Sequence, residues 1–370
     1  MQAIRTIVGV SWSDTGVNLS ALRGHNAALA LDLLRAAGRD GISRLELAER
    51  TGLTPQAVSK ITARLRAAGL VSEAGHRAST GGKPRTVLRL APSAGCAVGV
   101  RLDRDALTAV LLDLAGERVR VREAPLDVGG EPPAVLARVA DEVGLLLRGE
   151  RPPGLLGAGV AMPGPLDHAS GVARRVTGFP HWDGFPVRDT LAALLGCPVV
   201  LDKDTNAAAL GLALSGVAGE SDSFAYLHLG TGLGAGLVLG GGLYRGARTG
   251  AGEFGHQTVQ LDGPECRCGR RGCIEALCLD AVRRGEPERA ARILGAGAAN
   301  LVALLDIGRI VLGGRIVAAA PEVFTARVAE AAGVPVALAD GGAHPIAGGA
   351  AQLILAPLFG RGDPYSPKIR

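Results

Sequence analysis

The sequence predicts an α/β protein in which a small helical module with a β-hairpin precedes a larger domain of two similar halves. Three observations support this fold class. Apolar residues recur at helical spacing over residues 24–69, with capping residues between the runs. From Gly95 onward, strand and helix patterns alternate. Similar strand-turn-strand patterns occupy residues 96–117 and 224–246, which indicates two related halves facing each other across a cleft.

The first module opens with three predicted helices. One covers residues 24–38, where apolar side chains recur at helical spacing. Ser43 caps a second, short helix that Gly52 ends. Thr54 is the predicted N-cap of the third helix, with Pro55 at its first position. Four apolar residues form the predicted buried stripe of this third helix: Val58, Ile61, Leu65 and Ala68.

Three helices with a four-residue turn between the second and third are typical of a helix-turn-helix, whose third helix enters the major groove of DNA. Residues 73–92 then give two strand patterns around a Gly-Gly-Lys-Pro-Arg tip, the expected wing of a winged helix. The outward residues predicted to touch base edges are Gln56, Ser59 and Lys60. Those predicted to lie mostly along the phosphate backbone are Arg64, Lys83 and Arg85.

Charge is unevenly distributed along the chain. Residues 1–92 contain 13 Lys and Arg against 6 Asp and Glu, whereas the rest contains 27 against 29. A basic first quarter on a near-neutral body is typical of a nucleic-acid-binding module attached to a larger sensor, although a solvated basic face is the alternative. We therefore expect a flexible tail over residues 1–20, a winged helix-turn-helix over 21–92, and two lobes over 93–210 and 211–370, the first possibly completed by the C-terminal helix.

A candidate ligand site lies in the first lobe. Residues 197–214 form a predicted strand that runs into a helix, with Asp204 and Asn206 at the carboxyl end of the strand. Ligands of α/β folds usually bind at such ends. Carboxylates there accept hydrogen bonds from vicinal hydroxyls, so a cleft of this kind suits a polyol. The alternative role of Asp204 is to cap the following helix.

The second lobe contains a candidate metal site. His256, Cys266, Cys268 and Cys273 fall within eighteen residues, and one imidazole with three thiolates suits a tetrahedral zinc ion. A closed set of four ligands leaves no position for water, so the zinc would be structural. The alternatives are chance, buried small side chains or a disulfide. Stable disulfides are disfavoured because the sequence shows no secretory signal.

The composition favours a globular protein without a membrane segment. The 370 residues are 47% hydrophobic, which is enough for two or three domains with sizeable cores. The uncharged run over residues 225–244 contains glycines at turn spacing, so it predicts buried strands rather than a membrane span. A cytoplasmic location is therefore expected.

Several motifs together resemble the ROK family of repressors, open reading frames and sugar kinases, in its winged-helix transcriptional repressor branch. The resemblance covers nearly the whole chain. GEFGH (252–256) followed by CRCGRRGCIEA (266–276) resembles the zinc signature of the family in ligand order and spacing. LDKDTNAAALG (201–211) resembles its sugar and catalytic loop, HLGTGLGAGLV (228–238) its second phosphate loop, and IVLGGRIV (310–317) its late strand-turn motif. The resemblance implies two lobes of the actin-like, hexokinase-like ATPase fold.

The same resemblance implies roles for individual residues. Asp204 matches the catalytic aspartate of the kinases, and Lys203 stands where a sugar-binding asparagine is usual. Glu253, His256 and Glu275 match sugar contacts, so His256 would serve the metal as well. Lys203 would either favour an acidic or phosphorylated ligand or pair with Asp204 and weaken sugar binding.

Two departures from the family pattern bear on function. Kinase members have an aspartate, two glycines and a threonine in the first β-turn, because ATP phosphates need backbone amides there and no side chain. This chain has Leu102, Asp103, Arg104, Asp105 and Ala106, which obstruct a phosphate. Only forty residues separate Cys273 from Gly313, so some helices of the second lobe are expected to be missing.

The sequence thus predicts a regulator rather than an enzyme. It would repress genes of carbohydrate or secondary metabolism, binding double-stranded operator DNA as a homodimer, possibly a tetramer, and releasing it when a sugar or sugar phosphate binds. One alternative is an ATP-dependent sugar kinase with a DNA-binding arm. The other is a ROK regulator that no longer binds sugar and answers to a different effector.

Overall fold

The computed structural model describes residues 19–77, 85–148, 154–174, 176, 179–216, 221–339 and 344–361. Its N-terminal module combines three helices with a three-stranded antiparallel sheet in the order β1-β3-β2. These elements are α1 (Leu19–Ala36), β1 (Ile42–Ser43), α2 (Arg44–Thr51), α3 (Pro55–Ala67), β2 (Val71–Arg77) and β3 (Arg85–Leu90). Most of the predicted tail, and the wing tip with Lys83, lie outside the described residues.

Local capping sets the helix boundaries of this module. Ser43 Oγ accepts a hydrogen bond from the Glu46 amide at 3.2 Å, and the Glu46 carboxylate accepts one from the Ser43 amide at 2.7 Å. This is a complete capping box. Gly52 ends α2 in the left-handed conformation, and Thr54 Oγ1 accepts from the Ala57 amide at 3.3 Å. The predicted caps are confirmed.

The buried face of α3 differs from the predicted stripe. Val58 and Leu65 are buried as expected. Thr62, however, is fully buried, whereas Ile61 and Ala68 are only half-buried. The Thr62 hydroxyl donates to the Val58 carbonyl at 2.9 Å, so the helix itself satisfies its polar group and lets the side chain enter the core.

The larger domain contains two five-stranded mixed sheets. The first has the order β10-β7-β4-β5-β6 and the second the order β13-β12-β11-β14-β15. The first sheet consists of β4 (Cys96–Leu102), β5 (Ala106–Asp113), β6 (Arg118–Pro125), β7 (Leu155–Met162) and β10 (Val199–Lys203), and a hairpin of β8 (Leu166–Asp167) and β9 (Val172–Ala173) lies beside it. The second consists of β11 (Phe224–Leu229), β12 (Leu233–Leu239), β13 (Gly242–Tyr244), β14 (Arg309–Gly313) and β15 (Val336–Leu338). Each sheet joins an antiparallel meander to parallel strands, as the predicted duplication requires.

The helices of this domain are α4 (Pro132–Leu146), α5 (Val187–Leu195), α6 (Asp204–Ser215), α7 (Ile274–Arg283), α8 (Pro287–Leu305), α9 (Arg315–Ala319), α10 (Pro321–Ala332) and α11 (Pro345–Leu355). A 3₁₀ turn over Ala356–Phe359 follows α11. Helices α4 and α5 share a core with one face of the first sheet, and α7, α8 and α10 share one with the second sheet. Between Cys273 and β14 the described chain forms α7 and α8.

Helices α6 and α11 lie between the two sheets, and glycines allow their close approach. A Cβ atom at Gly99 of β4 would lie 1.9 Å from the Ala347 carbonyl oxygen of α11. One at Gly349 of α11 would lie 1.9 Å from the Ala207 carbonyl oxygen of α6. The last described helix therefore packs by its backbone on both the first sheet and α6.

One hydrophobic core extends from the N-terminal module into the larger domain. Buried residues of α1, α2 and α3 belong to the same apolar cluster as residues of α6, α11 and the inner faces of both sheets. Gly360, after the 3₁₀ turn, also approaches Ala28 of α1. The module is thus packed onto the body. Among the described residues, no helix combines the length and apolar character needed to span a bilayer.

Candidate functional site

A cleft of about 460 Å³ opens between the two sheets. It lies at the carboxyl end of β10, where α6 begins, and it includes the glycine-rich turn between β11 and β12. Its charged or titratable lining residues are Arg101, Asp103, Arg104, Asp105, Lys203, Asp204, Tyr226, His228, Glu253, His256, Arg267, Glu275, Arg315 and His344. The structure therefore brings together all five side chains predicted to bind an effector.

Lys203 pairs with Glu253 across the cleft. Its side chain is only 3% exposed, and its ammonium donates to Glu253 Oε1 at 3.1 Å and to the Ala251 carbonyl. The predicted alternative, a pair with Asp204, is not the pairing found. A buried ammonium needs a partner for its charge, and the loop after β13 supplies it. Lys203 consequently holds the carboxylate of Glu253, one of the residues predicted to bind an effector.

Asp202 is the centre of a buried ion network that the sequence patterns did not reveal. The side chain is fully buried. Oδ1 accepts from Asn206 Nδ2 at 2.8 Å, Oδ2 accepts from the Arg245 guanidinium at 2.7 Å, and His168 Nδ1 lies 3.7 Å from Oδ2. Burial acts to raise the pKa of Asp202, but Arg245, His168 and Asn206 hold it below its ordinary value. The carboxylate is therefore charged and ties β10 to the loop after β13.

Asp204 lies at the first position of α6 and faces a second group that the sequence analysis missed. Tyr226 and His228 of β11 join it, with the Tyr226 hydroxyl 2.8 Å from His228 Nδ1. Burial raises the pKa of Asp204, while the neighbouring His228 opposes that rise. Burial likewise lowers the pKa of His228. The site thus places a carboxyl and a neutral imidazole on one cleft wall, where hydroxyl groups of a ligand can both donate and accept.

The three remaining predicted contacts come from the second lobe. Glu253 precedes a 3₁₀ turn over Phe254–His256, and His256 is the last residue of that turn. Glu275 lies in the first turn of α7, and its Oε2 accepts from the Leu233 amide at 2.8 Å. That bond ties α7 to the glycine-rich turn. His256 lines the cleft and also belongs to the cysteine cluster, so the two sites share one side chain.

The predicted metal ligands converge. One ligand atom from each of His256, Cys266, Cys268 and Cys273 lies within 4.8 Å of the other three. His256 Nδ1 is 3.6 Å from Cys266 Sγ, and the thiols of Cys268 and Cys273 are 3.7 Å apart. This donor set is one that tetrahedral metal sites use. The cluster can therefore hold a metal ion.

The thiols of this cluster differ in acidity. Burial acts to raise the pKa of Cys268, but hydrogen bonds from Arg270 and the neighbouring thiols bring it to about 6. Burial and the thiols of Cys268 and Cys266 raise the pKa of Cys273 to about 12. One thiolate is ready to bind a metal, and the others would release protons on coordination.

In the first β-turn, Leu102–Ala106, backbone amides form hydrogen bonds within the turn itself. The Asp103 amide donates to the Ala106 carbonyl at 2.8 Å, and the Arg104 amide donates to Asp103 Oδ1 at 2.8 Å. Arg101 pairs with Asp103, and the Arg104 guanidinium lies 5.3 Å from the centre of the Phe179 ring. Two backbone amides of this turn are therefore already bonded within it, and the acidic side chains of Asp103 and Asp105 lie beside them.

The predicted DNA contacts on α3 are exposed, with one exception. Gln56, Ser59 and Lys60 are exposed. Arg64 was predicted to point outward but is half-buried, with its Nε shielded from solvent. Lys83 lies outside the described residues, and only the backbone of Arg85 is described.

Comparison with known proteins identifies the family. The family model described as "ROK family" matches residues 97–282, about half of the chain. This chain belongs to the ROK family. A second model, described as "MarR family", matches residues 24–78 of this ROK protein, which agrees with its winged helix.

Similar proteins include both repressors and kinases. The chain is 31% identical over 236 residues to the xylose repressor of Caldicellulosiruptor bescii, a match that covers 63% of this chain and 59% of that protein. A ROK hexokinase structure from Thermus thermophilus is 32% identical with a TM-score of 0.60, covering 69% of this chain and 96% of the hexokinase.

A third relative shares the whole architecture. The structure of a ROK family transcriptional regulator, a homologue of the Escherichia coli MLC protein, has a TM-score of 0.73 and 21% identity, covering 90% of this chain and 97% of the other. At that identity the likeness shows the fold alone. The ROK fold together with a winged helix is thereby established for this chain.

Proposed function

We propose that this ROK protein is a sugar-responsive transcriptional repressor that binds operator DNA as a homodimer and releases it when a sugar or sugar phosphate enters the cleft. The observation that carries the proposal is one continuous core, which joins a winged helix to a carboxylate-lined cleft whose first β-turn is closed by its own hydrogen bonds. A sensor needs the cleft and the DNA-binding module. A kinase needs the cleft and a first β-turn that is open to the ATP phosphates.

Effector binding would act by shifting a conformational equilibrium. Asp204, Glu253, His256 and Glu275 would hold the ligand hydroxyls, and the lobes would change their angle. The two α3 helices of the dimer would then leave the spacing of roughly 34 Å that successive major grooves require. A tenfold loss of DNA affinity needs about 1.4 kcal/mol of differential binding, which is within the usual range of allosteric coupling.

The metal of the cysteine cluster would be zinc in a structural role. His256, Cys266, Cys268 and Cys273 would provide four ligands and leave no open position for water. Zinc would order the loop over residues 256–273 and so orient the His256 ring toward the cleft. Its contribution would be to ligand binding, not to chemistry.

The test is DNA binding titrated with sugars. Purified protein is mixed with a fluorescent duplex from its own upstream region at fixed salt, because DNA affinity depends strongly on salt. Xylose, glucose and N-acetylglucosamine are then added, each also as a phosphate. Xylose comes first because one relative is named a xylose repressor. We expect one of them to release the DNA. Tight binding that none of them alters would contradict sugar sensing.

A sugar kinase with a DNA-binding arm is the second candidate. It is favoured by Asp204, by the glycine-rich turn between β11 and β12 and by the likeness to a ROK hexokinase. Incubation with ATP and a hexose panel separates the two functions. Sugar phosphorylation that Asp204→Asn abolishes would overturn the repressor proposal, because a repressor does not need this turnover.

A regulator that answers to a different effector is the third candidate. The Lys203 pair with Glu253 favours it, since that pair occupies a carboxylate that a sugar would otherwise use. If none of the sugars changes the melting temperature of the protein and DNA binding is retained, this hypothesis is supported.

A further inference from the structure

A partly buried ion cluster joins the N-terminal module to the chain after α11. Asp32 of α1, whose side chain is 12% exposed, lies at its centre. Oδ1 accepts from Arg35 Nε and Nη2 at 3.2 and 2.8 Å, and Oδ2 accepts from Arg361 Nε and Nη2 at 3.1 and 2.8 Å. Each carboxylate oxygen thus receives two charge-assisted bonds, which are roughly twice as strong as neutral ones. Asp32 fixes α1 against the chain that follows α11.

Arg35 extends this cluster to two further elements. Its Nη1 donates to the Leu214 carbonyl at 3.3 Å, in the last turn of α6. A cation at that place also complements the negative end of the helix dipole. The same guanidinium lies 5.3 Å from the centre of the Phe359 ring, in the 3₁₀ turn after α11. One side chain of the N-terminal module therefore contacts both the last turn of α6 and the 3₁₀ turn that follows α11.

The other ends of these two helices lie in the cleft. Helix α6 begins with Asp204, and Pro345, Ile346 and Ala347 of α11 line the cleft wall. The distance along α6 from Asp204 to Leu214 is roughly 15 Å. Because the two helices are in backbone contact at Gly349, they have little freedom to move independently. Packed elements of this kind shift as units between discrete arrangements.

We propose that Asp32, Arg35 and Arg361 form the joint through which occupancy of the cleft moves the DNA-binding helices. The inference rests on the proposed function. A ligand that displaces Asp204 and the start of α11 displaces the far ends of both helices, and the joint transfers that movement to α1. Helix α1 packs directly on α2 and α3, so the position of α3 follows.

The first test measures coupling between cleft and DNA. Wild-type protein, Arg361→Gln, Asp32→Asn and the control Arg283→Gln are titrated with the upstream duplex, with and without the sugar that releases the wild type, starting with xylose. Arg283 is a suitable control because it forms an exposed ion pair with Asp280 on α7. We expect sugar to weaken wild-type and control binding at least about tenfold, but the two joint variants less than about threefold. Sugar affinity by calorimetry should stay unchanged in all four.

A second measurement tests the joint without an effector. Hydrogen exchange of peptides from α1 is compared in the same four proteins. Faster exchange of α1 in Arg361→Gln and Asp32→Asn, with α8 unchanged, supports the joint. Wild-type exchange in both variants overturns it, as does a wild-type sugar response in Arg361→Gln. If no sugar releases the wild type, the proposed function fails, and the exchange result alone decides whether the joint exists.

Discussion

Asp202 ties the end of β10 to the loop after β13, and loss of its charge should cost about 3–5 kcal/mol, because the largely buried Arg245 guanidinium would lose its carboxylate partner. The substitution to test is Asp202→Asn, followed by urea unfolding at pH 7. Asp189→Asn is the matched control, since Asp189 is a largely exposed carboxylate of the same lobe. It should lose less than about 1 kcal/mol. Equal losses in the two variants would contradict the importance of the network.

The pH dependence of stability should follow from the same residue. The folded-state pKa of Asp202 is held below its ordinary value, so its contribution is present above the unfolded pKa of about 3.9 and is lost as pH falls through the folded pKa. Wild-type protein should therefore lose stability below about pH 4 more steeply than Asp202→Asn does. Unfolding curves between pH 7 and pH 3 measure this difference. Parallel losses would show that other carboxylates cause the acid sensitivity.

Substitution of Lys203 should affect the binding of neutral and anionic effectors differently. In Lys203→Met the apolar stem is kept and the ammonium is removed, so Glu253 is freed for a ligand hydroxyl. We expect affinity for a neutral sugar to rise by up to about tenfold, since a hydrogen bond to a charged group contributes about 1.5–3 kcal/mol before losses. Affinity for a sugar phosphate should not rise. Calorimetry with each sugar and its phosphate provides the measurement, and a fall in affinity for the neutral sugar would place Lys203 in contact with the ligand.

At the scale of elements, the loop over residues 256–273 should depend on its metal. Cys268→Ser removes one of the four metal ligands. Loss of a residue that only supports a ligand lowers metal affinity by up to about 100-fold, so loss of a ligand itself should lower it further. Bound zinc per chain is measured by atomic emission, and sugar binding should weaken with it because His256 both lines the cleft and belongs to the cysteine cluster. Cys197→Ser, outside the cluster, is the control. Wild-type sugar binding in metal-free Cys268→Ser protein would contradict the structural role of the metal.

Elements with local signals were the ones that the sequence predicted well. Ser43 and Thr54 act through bonds to residues three positions away, and Gly52 acts through its own left-handed backbone conformation, so their effects can be read from the local sequence alone. The cysteine cluster was found for the same reason. Thr62 was missed because its burial depends on an internal hydrogen bond that an apolar pattern does not reveal.

Contacts between distant segments could not be predicted in this way. Arg245 reaches Asp202 from 43 positions away, and Arg361 reaches Asp32 from 329 positions away. Neither arginine belongs to a local motif, so only the fold brings these charges together. The resemblance to a known family placed Lys203 in the cleft but left its partner open, and the pairing with Glu253 follows from the path of the loop after β13.

At the scale of the whole molecule, the salt dependence of DNA binding should report how many chains bind one operator. The slope of log K for DNA binding against log salt is negative. Loss of one protein cation that contacts a DNA phosphate reduces the magnitude of this slope by about 0.9. Lys83 is predicted to bind the DNA backbone once per chain. Lys83→Gln should therefore reduce the magnitude of this negative slope by about 0.9 for a monomer and by about 1.8 for a dimer in which both wings bind.

Arg292→Gln serves as the control for this measurement. Arg292 is exposed on α8, outside the cleft and outside the winged helix, so its substitution should leave the slope unchanged. A slope change of about 1.8 in Lys83→Gln would require two chains on one duplex, because one chain supplies a single Lys83. A change near 0.9 would contradict a dimer in which both wings bind the DNA. Two half-sites about 34 Å apart would then no longer be needed, and release by a change of angle between two α3 helices would lose its basis.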